Sequence, residues 1–373
     1  MTSVTKEPTC YLCDSLLTPT NRTVEHIILN AMGGRLKSDK ILCKKCNSSL
    51  GADADAALAG QFAFLSGYLQ VNRENGSIPT TTGLTTADGT EYRLLNGNKP
   101  SLARPVFRTE KTENGFFYSL TARTDAEMRS MLGGIKKQFP AFDVEEGLRQ
   151  AKVYDERLRE PISIRQEFGG EPAFRSIAKS AVNFYLHQGG DRSQVQHLFD
   201  MIRGIAPCDV VRFYNPTRPL YQLEPNSVLH VLHVQGIKHI RLLYCYVEFF
   251  STHSFIVILN DNYEGRNIGY TYSGDPVTGK KVEKEIKLIL SREEILGLSH
   301  TDYDYEALSS KTRRLIRIAD ERLQKAEIGR IFREGIKDVH ATQFRGETVF
   351  TRPMAKAFAD RVTRDIMRYL YGS

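Results

Sequence analysis

Apolar positions along the chain switch repeatedly between helical and strand spacing, which predicts an α+β protein. Residues 56–69 carry apolar side chains close to helical spacing and predict one helix. From residue 75 to 105 the pattern dissolves into Thr, Gly, Asn and Pro, with Asn75-Gly76, Ile78-Pro79 and Asn96-Gly97-Asn98. Such a run favours turns and short hairpins over a packed helix and sets a domain boundary. Residues 106–123 hold Glu113-Asn114-Gly115 between two β-prone runs, a hairpin signal. A capped helix is expected over 124–139. In residues 174–186, Phe174, Ile177, Ala178, Ala181, Val182 and Tyr185 fall on one core-facing helical stripe. Residues 228–234, 242–250 and 255–259 predict strands of one sheet. Residues 305–339 and 353–371 predict two closing helices with arginines on their polar faces. Gly133-Gly134, Gly169-Gly170 and Gly189-Gly190 lack the strand-to-helix setting of a phosphate loop and are expected at helix ends. The expected layout is a unit over 1–60, a connecting helix and linker over 61–105, and a larger mixed α/β region over 106–373 of one or two domains.

Composition narrows the classes. The chain has 373 residues, 41% apolar and 25% charged, which excludes a mainly disordered or collagen-like polymer. Fifty-one Lys and Arg against 44 Asp and Glu leave +7, a mild excess that suits a polyanionic partner. The most apolar window, 240–259, is interrupted by Arg241, Glu248 and His253, so it predicts paired strands rather than a membrane span. The polar residues 1–9 offer no apolar export segment. The expectation is a soluble, cytoplasmic protein with no membrane partner.

Six cysteines sharpen this. Four form Cys10-x-x-Cys13 and Cys43-x-x-Cys46, while Cys208 and Cys245 stand alone. In a reducing compartment such pairs read as metal ligands, not disulfides. Two tight turns each aim two thiolates at one ion, and together they complete a tetrahedral S4 shell that selects Zn²⁺. The gap between the pairs is longer than in a common zinc ribbon. It contains Glu25-His26-Ile27-Ile28, then Gly33-Gly34, then Leu42 before the second pair, and Asn47 follows Cys46 directly.

With Gly51 and Asp55, this joint pattern over roughly residues 8–60 resembles the HNH endonuclease family, the ββα-metal finger, in a zinc-stapled form. The resemblance implies an N-terminal zinc-bound nuclease module that hydrolyses phosphodiester bonds in DNA. It implies His26 as general base, because a neutral imidazole near pH 7 can take a proton from water. Glu25 and Asn47 would hold a catalytic divalent cation, Mg²⁺ or Mn²⁺, beside the structural Zn²⁺. The family's middle Asn, which orients the base, falls near Ser38, Asp39 or Lys40; none is Asn, and Asp39 is the candidate acceptor for the imidazole N–H. Asp55 matches an acidic position of the family and equally suits a helix-surface acid. Residues 106–373 would recognise the target or control the nuclease, as in restriction or anti-phage defence.

Two rival readings stand beside this one. In the first, the larger region senses a small signalling nucleotide and activates the nuclease, with assembly into a homo-oligomer. In the second, the N-terminal module is a zinc finger that binds nucleic acid without cutting it. Other chemistry-bearing residues carry less. His230 and His233 lie three apart on an expected strand, so they face opposite sides and cannot chelate one ion. Asp275 with Glu285 and Lys287 faintly resembles another nuclease class, but a turn followed by an alternating exposed strand explains it as well.

Overall fold

A computed structural model describes residues 8–77, 80–95, 98–113, 115–152, 161–301 and 304–371. The chain divides into two compact units, one of Met1–Pro79 with Gln166–Ile316 and one of Thr80–Arg165 with Arg317–Ser373. The first unit therefore unites the cysteine-rich N-terminus with a segment that begins about a hundred residues later.

That unit is built on a five-stranded antiparallel sheet. Its order is Ile268–Gly274, His230–Ile237, Leu242–Phe249, His253–Asn260 and Val211–Phe213. Every residue of Leu242–Phe249 is buried, because both faces of the sheet are covered. On one face Val231, Leu242, Tyr244, Tyr246 and Ile256 pack under Ile286, Leu288 and Ile295. Ile286 and Leu288 belong to the segment after Asp275, whose charged neighbours point outward; it is extended but pairs as a ladder strand with nothing among the described residues. The Asp275 carboxylate itself caps a turn by accepting from the N–H groups of Val277 and Thr278.

Against the sheet lies the helix Glu171–His187, which also packs on Ala54–Gln61. A helix covered on two sides must be buried nearly all round, and this one is: its buried residues include Ile177, Ala181 and Phe184, but also Arg175, Lys179 and Asn183. Gly170, at φ 80°, starts it and Gly189, also at 80°, follows its end. The stretch expected as one helix over 56–69 is instead two, Ala54–Gln61 and Ala63–Tyr68, preceded by Lys44–Ala52. The breaks have tertiary causes. Asp53 pairs with Arg175 at 2.7 Å, and Phe62 turns its ring onto Phe168, Phe249, Phe250 and His253 with centroids 4.9–5.5 Å away.

The second unit holds a four-stranded antiparallel sheet in the order Lys99–Leu102, Glu91–Leu95, Thr81–Thr85 and Ser163–Ile164. Beside it in sequence are the hairpin of Val106–Thr112 with Gly115–Thr121 and the helices Asp125–Gln138 and Val144–Gln150. Asn114, at the expected hairpin tip, lies outside the described residues, as do Ile78, Pro79, Asn96 and Gly97. Gly133-Gly134 is not a helix end but sits inside Asp125–Gln138, where nothing crowds a Cβ at either position. The helix Tyr305–Gln343 begins in the first unit and ends in the second, followed by Arg352–Tyr371. No helix among the described residues is long and apolar enough to cross a membrane.

Candidate active site and zinc centre

The two cysteine pairs meet because short backbone bonds fold their turns together. The Asp14 N–H donates to the Cys10 carbonyl at 2.9 Å with Asp14 at φ 59°, and the Tyr11 N–H donates to the Ile41 carbonyl at 3.0 Å. Cys43 caps the helix Lys44–Ala52, its sulfur accepting from the Cys46 N–H. The four sulfurs of Cys10, Cys13, Cys43 and Cys46 all lie within 4.8 Å of one another, and those of Cys13 and Cys43 are 3.7 Å apart. A tetrahedral ion with Zn–S bonds near 2.3 Å separates its sulfurs by about 3.8 Å, so this donor set fits Zn²⁺.

Between the pairs, Glu25–His26 and Lys37–Ser38 form a two-residue antiparallel ladder, Glu25 opposite Ser38 and His26 opposite Lys37. The connection requires Gly33-Gly34. Gly33 adopts φ 82°, and a Cβ on Gly34 would stand 1.9 Å from the Ile28 carbonyl oxygen. Strand alternation then sends Glu25 inward and leaves His26 half-buried at the surface.

Glu25 points at the helix Glu171–His187. Its Oε1 is 2.7 Å from Lys179 Nζ and accepts from Asn183 Nδ2 at 3.1 Å. The same ammonium is 2.6 Å from Asp55 Oδ2, and Asp55 Oδ1 accepts from Ser176 at 2.6 Å. Burial alone disfavours the Lys179 ammonium, but the Glu25 and Asp55 carboxylates outweigh that cost and raise its pKa above the ordinary lysine value. Asn183 Oδ1 is buried with no hydrogen-bond partner among the described residues.

His26 makes a different contact. Its Nε2 is 3.0 Å from Glu74 Oε2, and Glu74 also accepts from Lys37 Nζ at 2.9 and 3.0 Å. The Lys37 bonds first, and then the imidazole, pull the Glu74 pKa down to about 2. Asp39, the candidate partner for His26 in the sequence, pairs instead with Arg22 at 3.2 Å. Asn47 sits in the first turn of Lys44–Ala52 and donates from Nδ2 to Thr23 Oγ1 at 3.3 Å.

These residues converge. Glu25, His26, Asn30, Asn47 and Asp55 line one cleft of about 270 Å³. Two oxygens of that lining have no partner among the described residues, Glu25 Oε2 and Asn47 Oδ1. Both are hard donors, the kind that suit Mg²⁺ or Mn²⁺. By contrast, His230 and His233 serve the fold. His230 Nε2 donates to the Met32 carbonyl at 2.8 Å, and His233 Nδ1 is 2.7 Å from Thr271 Oγ1.

Sequence reasoning missed Lys179, Asn183 and Glu74. For the first two a signal existed: Arg175, Lys179 and Asn183 recur every fourth residue in a helix with an apolar core-facing stripe, and such a polar row needs buried partners. Glu74 stands in a turn-rich stretch without any periodic pattern.

No curated protein and no solved structure matches the chain. A family model described as HNH endonuclease matches residues 10–63, the stretch that holds all four clustered cysteines with Glu25, His26 and Asn47.

Proposed function

We propose that the N-terminal segment is a metal-dependent endonuclease that hydrolyses phosphodiester bonds in DNA. The supporting observation is the cleft whose lining includes Glu25, His26 and Asn47. In this reading His26 takes a proton from the attacking water, a contribution of typically 10²–10⁴-fold. Glu25 and Asn47 would hold a divalent cation, Mg²⁺ or Mn²⁺. When bound, that cation neutralises charge developing on the phosphate and its leaving oxygen. Lys179 balances the buried carboxylate of Glu25 and the half-buried one of Asp55, so that two acids can sit under a site that must accept a polyanion. The larger remainder of the chain supplies target recognition or control, an arrangement that suits restriction or anti-phage defence in the cytoplasm.

Plasmid DNA incubated with the full chain tests this. Cleavage is expected with Mg²⁺ or Mn²⁺, and it is expected to vanish with EDTA and fall at least 100-fold in His26→Ala. If wild type and His26→Ala both bind DNA and neither cuts it with either metal, the nuclease reading is wrong and a non-catalytic zinc finger replaces it.

A further inference from the structure

We infer that Glu74 is the positioning residue for the proposed base, its carboxylate holding the His26 ring so that Nδ1 faces the cleft as the proton acceptor. The inference rests on His26 as the base of the nuclease reading, and it deepens that reading. It also places part of the site beyond the matched stretch, which ends at residue 63.

The argument begins with the hydrogen bond. An ionised carboxylate only accepts, so the 3.0 Å contact between Glu74 Oε2 and His26 Nε2 requires the proton on Nε2. A neutral ring with its proton there carries its lone pair on Nδ1. A carboxylate behind an imidazole therefore selects both the tautomer and the ring's angle, the role a buried acid plays for a histidine base in many hydrolases. In this chain the strand opposite His26 offers no such group. Lys37 faces it in register, Ser38 is buried opposite Glu25, and Asp39 is turned to Arg22.

Three nitrogen-bearing side chains surround Glu74: the His26 imidazole, Lys37 at 2.9 Å, and Arg35 at 3.3 Å. Such a ring could also be a phosphate site that the carboxylate merely fills. The backbone speaks against a displaceable plug. The Glu74 N–H donates to Asn30 Oδ1 at 2.9 Å, and Asn30 Nδ2 donates to the Asn75 carbonyl at 3.2 Å. Two residues earlier the Asn72 N–H donates to the Pro276 carbonyl at 2.8 Å, and the Asn72 carbonyl accepts from Arg35 at 3.0 Å. The segment is tied on both sides of Glu74, and one of its ties, Asn30, lines the cleft itself. A carboxylate held this way orients its neighbour and stays in place when substrate arrives.

The test compares wild type, Glu74→Ala and Glu74→Gln as zinc-loaded full chains, with ¹⁵N-labelled histidine. Ring ¹⁵N–¹H correlations, with the His26 signals identified by their loss in His26→Ala, are read at a pH where the ring is neutral. Wild type and Glu74→Gln, whose amide oxygen also accepts, should show the proton on Nε2, whereas Glu74→Ala should show a mixture of tautomers. In single-turnover cleavage Glu74→Ala should lose about 10–100-fold in rate with KM little changed, and Glu74→Gln should recover most of it. An unchanged His26 tautomer in Glu74→Ala overturns the inference, and so does a Glu74→Ala variant that cuts as fast as wild type or faster, the outcome a plug would give. If the ring responds as expected while wild type cuts no DNA, the positioning stands and the nuclease reading falls.

Discussion

The Lys179 ammonium lies 2.7 Å from Glu25 Oε1, with both side chains almost wholly withdrawn from water. It ties the residue beside the proposed base to a helix outside the matched stretch. The N-terminal module is thus completed by a partner far along the chain.

Removing the cation should be costly. Lys179→Met leaves the buried Glu25 and the half-buried Asp55 without their counter-charge, and breaking a buried pair in this way destabilises by about 3–5 kcal/mol. The double variant Lys179→Met with Glu25→Gln should recover part of that loss, because one stranded charge is gone. Denaturant midpoints of the three proteins measure it; equal midpoints for wild type and Lys179→Met would show that the pair carries no stability.

Zinc should be present at one ion per chain, measured by atomic emission, and Cys10→Ser or Cys46→Ser should reduce that content. Chelation should remove hydrogen-exchange protection from Lys44–Ala52, whose cap is Cys43, while the strands Leu242–Phe249 and His253–Asn260 keep theirs. Uniform loss of protection would mean that the sheet needs the ion too.

Phe62 breaks the helical run in order to pack on four rings of the first unit. Phe62→Ala should cost about 3–5 kcal/mol, the usual range for a buried phenylalanine. A loss under about 1 kcal/mol on chemical denaturation would mean that the site collapses around the smaller side chain.

Acid should weaken the first unit through a buried histidine. Burial pushes His230 from 6.5 down to about 4, against smaller opposing influences from its bond to Met32 and from Asp275. The unfolded chain therefore takes this proton below pH 6.5 while the folded protein refuses it until about pH 4. Unfolding gains a proton across that window, so stability is intact above pH 6.5 and falls as the pH drops toward 4. The slope is about 1.4 kcal/mol per pH unit for one such histidine. His230→Gln should flatten the curve of denaturant midpoint against pH, and an unchanged slope would exclude His230 as a source.

Local signals in the chain carried much of the architecture. The stripe from Phe174 to Tyr185 falls within Glu171–His187, and the three apolar runs between 228 and 259 became neighbouring antiparallel strands. The two closing helices also lie where their periodicity indicated. The short strands Val211–Phe213 and Ile268–Gly274 escaped notice because an edge strand of three residues, or one rich in Gly and Tyr, has little period-2 signature. The helix break at Phe62 was equally invisible, since its cause is a set of rings far along the chain.

The cysteine spacing pointed to the clustered metal-ligand candidates, because a two-residue gap dictates geometry within a few bonds of the chain, and the resemblance carried by Glu25-His26 and Cys46-Asn47 named the proposed reactive residues. What faces those residues was settled only by folding. Lys179 against Glu25, Ser176 against Asp55 and Glu74 against His26 are distant pairings. They exist because a helix with a polar stripe had to bury it, and because a turn-rich segment was tied down by Asn30 and Pro276. Spacing along a chain encodes what neighbouring residues can do together; burial, which decides which charges must find each other, is a property of the assembled fold.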